Sequence, residues 1–466
     1  MLPFLSSILI AQAAPIAPAA PPKPAVVVQP QVIRPLPGKL DSVLVFNSNS
    51  PEVVQTEGIL LSTFAKSGKS SPDAHLNQPL RGRFDIFAHH ISNKVKTPED
   101  LKTLYLGILV HNPTARPVTL NVLRAASYLS QPDAPFISLP PRTENPQGTV
   151  FAGPGDRAVG DVLRGLRQPT WPTQVVLAPG ATQVLFNAPI PVESLTPPIN
   201  GRSVLAHLRS TGEVRVASLA LFAKTDASGK ERAPTLEEWQ TLLNTGTLAG
   251  PRDRSPTPPG QAGQLIYGRV AGVAQGSRWE AKVTDSAKSS RLTIPPVGQG
   301  FSYPLSTVDR GTFGTGQIQS APLLARYPDT AYAAHGNYGI EYSLELPLYN
   351  PTADCQVVSL RLQTPLKSDK KISSLRFNNP PANRVFFRGT VRLRYQDDEG
   401  AAQNRYVHLV QLQGQQSDPL LQLNLKARST RRVQVDFIYP PDATPPQVLS
   451  VQTEAWMSDP PPSSRQ

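Results

Sequence analysis

Chemistry is most strongly suggested by the run Arg83-Phe-Asp85-Ile-Phe87-Ala-His89-His90. On a strand, alternate side chains share a face, so Asp85, Phe87 and His89 point one way. Four residues of strand set the Asp85 carboxylate and the His89 imidazole about 13 Å apart, too far to share a metal unless a bulge intervenes. His75 or His111 could complete such a site only through a tertiary contact. The alternative is that Asp85 and His89 bond to backbone or water at a strand edge.

The run Gly153-Pro-Gly155-Asp156-Arg157-Ala-Val159-Gly160-Asp161 has the glycines of a phosphate loop but lacks its Lys-Ser/Thr. It is expected to be a turn capping a short helix, Val159–Leu166. There is no Gly-x-Ser-x-Gly, and Cys355 follows Asp354 at the start of a strand with no evident base, so it is expected to be a small core residue. Glycoside hydrolysis needs two carboxyl groups about 5–10 Å apart. Glu341 and Glu345 share a strand face about 13 Å apart, and Asp397-Asp398-Glu399-Gly400 reads as a hairpin turn. No catalytic residue is assigned.

The segment Tyr327–Gly339 differs in kind, with three tyrosines, a histidine and an asparagine in one long loop. Aromatic faces beside amide and hydroxyl groups suit a sugar or a partner surface. Tyr327, Tyr332, His335, Asn337 and Tyr338 are therefore the candidate binding residues, with Tyr332 and Tyr338 stacking on sugar rings. The alternative is that the tyrosines only cover the end of a sandwich.

Composition narrows the classes. One cysteine excludes an intramolecular disulfide and a Cys-based zinc site, and 7 histidines argue against a His-rich metal centre. No metal or cofactor is expected. The +12 charge raises nucleic acid as a partner, but residues 1–260 hold 24 basic and 18 acidic side chains and residues 261–466 hold 22 and 16. The excess is even, with no basic stripe, so no nucleic acid is expected.

The elements that must position these residues are strands. Fifty-one prolines exclude a mainly helical protein, since Pro in a helix interior costs about 3 kcal/mol, and the aromatics exclude a wholly disordered chain. Short β-type runs recur between turn clusters, among them Gly82–His89, Gln174–Leu177, Gly263–Val270, Gln356–Gln363 and Gln447–Thr453. Thr235-Leu-Glu-Glu238 is a capping box opening a short helix that stops at Gly246. The expected fold is all-β, two tandem β-sandwich modules (Ig-like or jelly-roll-like) with very little helix. The first covers 38–245 and the second 263–457, with a Gly/Pro/Thr/Ser-rich linker at 246–262 and a disordered tail at 458–466. Leu106–Thr114 and Leu344–Thr352 both run a strand into Asn-Pro-Thr, which points to an internal repeat.

At the N-terminus, Leu2–Ala11 is apolar and Ala11-Gln12-Ala13 fits the small-x-small rule of signal peptidase. Residues 1–13 are read as a signal peptide and 14–37 as a Pro/Ala-rich, stiff linker that buries little. The apolar run is too short for a transmembrane anchor. A periplasmic or secreted location follows.

Phe46-Asn-Ser-Asn-Ser-Pro-Glu52, Gly82–His90, Leu104–Leu109, Ala126–Pro132, Ala334–Glu341 and Phe386–Val391 together resemble an uncharacterised cyanobacterial exported protein family, a domain of unknown function. That resemblance implies a lineage and an exported location, and no activity. The function expected is non-catalytic: an envelope protein that binds or organises a glycan or another envelope protein. The alternative is a hydrolase acting on envelope polysaccharide, with carboxylates that meet only in the folded chain.

Overall fold

A computed structural model describes residues 25–441 and 443–455; the expected signal peptide, residues 14–24 and the expected tail lie outside them. Among the described residues are 29 strands and two α-helices, so the fold is all-β. Gln174–Leu177, Gln356–Gln363 and Gln447–Thr453 form as expected, whereas Gly263–Val270 does not and the strand comes later, at Ala271–Gln275. The strands Arg278–Lys282, Gly300–Leu305, Ala321–Arg326 and Ser374–Asn379 have no Val, Ile or Thr between them. Without a β-branched run, pairing with neighbours and the aromatic residues of three of them hold them extended.

Helix α2, Leu236–Thr245, has the full capping box of Thr235 and Glu238 and buries Trp239 and Leu243, one turn apart. It lies against Gly107, where a Cβ would come within 2.7 Å of the Trp239 ring. Helix α1 spans Pro154–Leu163, starting earlier than the expected Val159. Pro154 at its first turn has the φ a helix needs, and Gly153 before it turns the chain at φ 95°.

The repeat is visible in the strand registers. His111 pairs with Thr182 as Tyr349 pairs with Thr430, and Val118 with Leu177 as Gln356 with Leu425. Leu120 pairs with Ser210 as Val358 with Thr453. The Asn112 amide donates to the carbonyls of Arg116, Leu177 and Ala178 at 2.7, 3.0 and 3.1 Å, and its oxygen accepts from Thr114. The Asn350 amide does the same toward Asp354, Leu425 and Lys426 at 2.7, 3.0 and 3.2 Å, with Thr352 as donor. Both side chains are fully buried. Each truncation strands several buried backbone groups at about 1–3 kcal/mol apiece, so Asn112→Ala and Asn350→Ala should each cost about 3 kcal/mol or more. Urea titration checks this; a loss below about 0.5 kcal/mol at either site would show that the two networks are not equivalent.

The halves are not separate modules. A 12-stranded sheet combines strands of the first half with Ala271–Gln275 and Ala321–Arg326, which join it through Leu44–Ser48. An 8-stranded sheet of the second half takes in Lys39–Leu40 and Arg142–Glu144. Residues 246–262 are also no free linker: Leu248 bridges to Ile59, Ala249 is buried, and the Gly250 carbonyl accepts from Gln55 and Thr56. One strand, Ile199–Phe222, serves both parts of the first half. Its first stretch pairs with Leu80–Asn93 and Val118–Leu129, and after an irregularity between Ser210 and Val214 its second pairs with Leu104–His111.

Residues 25–37, expected to be linker, belong to the fold as well. Ala25–Pro30 pairs antiparallel with Ser374–Asn379, and Val32–Ile33 runs parallel to Phe301–Ser302. The Leu36 side chain is buried and the Pro37 carbonyl accepts from the Trp279 indole at 2.9 Å. Proline-rich backbone is already extended, and Pro at a strand edge forfeits no ladder bond.

Candidate functional site

The loop Tyr327–Gly339 divides its five candidate residues between core and surface. Tyr327 is wholly buried; its hydroxyl donates to the Ala74 carbonyl at 2.8 Å and accepts from the Ser62 amide at 3.1 Å. Burial holds that phenol well above its usual range. Asn337 is also buried, at φ 48°, where Asn is among the more tolerant residues. Its amide donates to the Gln319 carbonyl at 3.0 Å and to the Tyr342 hydroxyl at 3.2 Å, and its oxygen accepts from Ala321. Both residues are structural, because a buried polar group must be bonded internally. Tyr332 is half-buried under the Arg326 guanidinium, 3.7 Å from its ring centre, and is not part of the cleft lined by His335 and Tyr338.

His335 and Tyr338 do line a cleft, of about 330 Å³, between the two halves. Tyr338 packs against Phe87 at 6.3 Å and its hydroxyl donates to the Ala443 carbonyl at 3.0 Å. Opposite stands Tyr267, whose ring centre is 4.7 Å from that of His335. The floor comes from the end of Leu44–Ser48: Asn47 and Asn49 both line the cleft and both are more than nine-tenths buried. Their amide oxygens have no hydrogen-bond partner, and neither does His335 Nδ1. Burial lowers the His335 pKa to about 4, with Asp309 opposing, so the imidazole is neutral at pH 7.

The cleft is also lined by Glu52, Arg269 and Lys367, and the first two are paired. Glu52 pairs with Arg269, which also reaches Asp253 at 3.2 Å, and His89 Nε2 lies 3.8 Å from Glu52. Among the described residues Glu52 is the one carboxylate that lines the cleft. Asn47, Asn49 and Tyr267 are not among the five candidates that the sequence singles out. Asparagine is depleted in strands, so two of them flanking one serine at a strand end were the available signal.

The other sequence candidates resolve as follows. His89 Nδ1 contacts the Ser203 hydroxyl at 2.8 Å, so Ser203, His89 and Glu52 stand in the order of a catalytic triad. Ser203 is only 1% exposed, which denies a substrate the in-line approach that a nucleophile needs. Asp85 pairs with Arg83 and lies 3.6 Å from His207, not beside His89. Glu341 and Glu345 face Arg278 and Lys282 on the parallel neighbour strand, at 3.8 and 3.5 Å. Cys355, expected in the core, is exposed: it sits in the turn that Asn350 closes, where side chains point outward. Among the described residues no three His, Cys, Asp or Glu side chains cluster as metal ligands, and no helix is long and apolar enough to cross a membrane.

Residues 31–453 match the sequence model of a family described as "Protein of unknown function (DUF3370)". No curated protein matches the chain. Among solved structures, the "Crystal structure of Lac15 from a marine microbial metagenome" aligns over 87% of this chain at 9% identity. This chain spans 62% of that protein's, and the TM-score of 0.09 carries no argument.

Proposed function

The chain belongs to the DUF3370 family, and from that premise we propose that it is a non-catalytic, exported protein of the cell envelope that binds a hydroxyl-rich glycan in the cleft between its halves. The observation that carries this reading is the set of unpartnered polar atoms on Asn47, Asn49 and His335 in a cleft that Tyr267 and Tyr338 also line. Sugars supply hydroxyl donors for such acceptors and apolar ring faces for such aromatics. The apolar run Leu2–Ala11 with Ala11-Gln12-Ala13 supports export to the periplasm or beyond. A hydrolase would need a second carboxyl group within about 5–10 Å of Glu52 and facing it across the cleft, and no other described carboxylate lines that wall.

Retention on isolated envelope polysaccharide tests the proposal. Tyr267→Ala combined with His335→Ala should weaken retention at least tenfold, while the melting temperature moves by only a few degrees because both side chains are partly exposed. Tyr332→Ala should leave retention unchanged. Retention that survives the double substitution would remove the cleft as the binding surface.

A further inference from the structure

A second pocket, also of about 330 Å³, lies on the same seam. Arg83 lines it, from the strand face that also carries Phe87, and Phe87 packs against Tyr338 of the first cleft at 6.3 Å. Arg124 enters from Val118–Leu129, and Arg278 and Glu341 from the facing sheet. We infer that this pocket is an oxyanion-binding site, taking the carboxylate or sulfate group of an acidic ligand between Arg124, Arg83 and Arg278.

The assignment rests on how each charge is already used. Arg83 is paired with Asp85, and Arg278 donates to the Ser343 hydroxyl at 2.7 Å with Glu341 3.8 Å away. The Arg278 Nε is buried and makes no hydrogen bond. Asp41 is held in place by the Ser277 amide and hydroxyl at 2.8 and 3.1 Å and by the Val43 amide at 3.2 Å, and its charge acts on Arg83. Arg124 has no carboxylate within 4 Å among the described residues, and its one contact is the Val162 carbonyl at 3.5 Å. Among the described residues, Arg124 is the one pocket-lining guanidinium with no carboxylate ion pair, while Asp41 and Glu341 line the same pocket. His207, 5% exposed, lines the pocket and finds no carboxylate closer than Asp85. The local field agrees: burial, then Arg83 and Arg124, hold the His207 imidazole well below its usual pKa. Burial also brings Arg83 down to about 10, with Arg124 and Arg209 adding to the shift against Asp41 and Glu341. A guanidinium fork offers a carboxylate or sulfate two parallel hydrogen bonds, which is the geometry such a pocket selects.

The site stands apart from the sugar cleft, and the two can fail separately. Calorimetric titration of the intact protein with sodium sulfate and with sodium glucuronate, at constant ionic strength in chloride, should give saturable binding of at least one probe. Arg124→Gln should weaken it at least tenfold. Leu123→Glu, at a rim position 43% exposed, should do the same by placing a like charge at the mouth while leaving the fold intact. Binding of sulfate alone would identify a free oxyanion as ligand, and binding of glucuronate a sugar acid. The Tyr267→Ala, His335→Ala protein should bind the probes as the unaltered chain does. Absence of saturable binding with both probes, or unchanged binding in both Arg124→Gln and Leu123→Glu, would overturn the assignment.

Discussion

A chain that begins at Asp41 is expected not to fold. Removing the segment before it takes away Leu36, whose burial is worth about 1.5–3 kcal/mol. It also leaves the Trp279 indole, the Ser302 hydroxyl and the Gln317 amide without the partners supplied by Pro37, Gln31 and Leu36. Each such loss inside the protein costs about 1–3 kcal/mol. The strands Ser374–Asn379 and Gly300–Leu305 lose a neighbour besides. The sum is comparable with the roughly 5–15 kcal/mol by which a native domain is stable. Circular dichroism and gel filtration should show the truncated chain aggregated or without a cooperative melt. A melting temperature equal to that of the full chain would make the segment an appendage after all.

His408→Ala should destabilise the protein by about 1–3 kcal/mol or more, since it strips a buried carboxylate of a hydrogen-bond partner. The His408 imidazole meets the Asp156 carboxylate at 2.7 Å, with exposures of 0% and 1%. That contact fastens helix α1, from the first half, to Ala402–Gln413 of the second. Without the imidazole, Asp156 keeps only the Ala152 amide on that oxygen, and its other oxygen is already unpartnered. The double variant Asp156→Ala, His408→Ala should lose much less than the two single losses added, because the stranded charge is gone. Additive losses in urea titration would mean that the pair does not couple.

The fold class was readable because β-structure writes itself in turn residues and in alternating or continuous apolar runs. The capping box of α2 and the Asn-Pro-Thr repeat were equally local and equally legible. Strands such as Arg278–Lys282 and Ala321–Arg326 escaped because partners distant in sequence keep them extended. The division into two modules failed for the same reason: composition marked 246–262 as a break, while the pairing of Leu44–Ser48 with Ala271–Gln275 runs across it. Of the candidate loop, aromatic content singled out five residues that the fold divides between interior and cleft. It could not separate Tyr327 and Asn337, which hold the interior, from His335 and Tyr338, which face the cleft. Asn47, Asn49 and Tyr267 reach that cleft from segments far away in sequence, so no spacing could have grouped them.

The seating of the N-terminal segment also sets an order of events. Its partners are made long after it: Gln29 donates to Gln452, 423 residues further along, and Ala25–Pro30 pairs with Ser374–Asn379. Closing loops of that length is entropically costly before any contact rewards it, which slows folding. Synthesis proceeds from the N-terminus, so residues 25–30 must wait for residues 374–379 before they can pair. Meanwhile Val26, Val27 and Val28 have no partner strand. A nascent chain of this topology stays open until its far end arrives. That delay would keep it threadable through a narrow conduit, and it would also make it dependent on a holding chaperone until both ends are together.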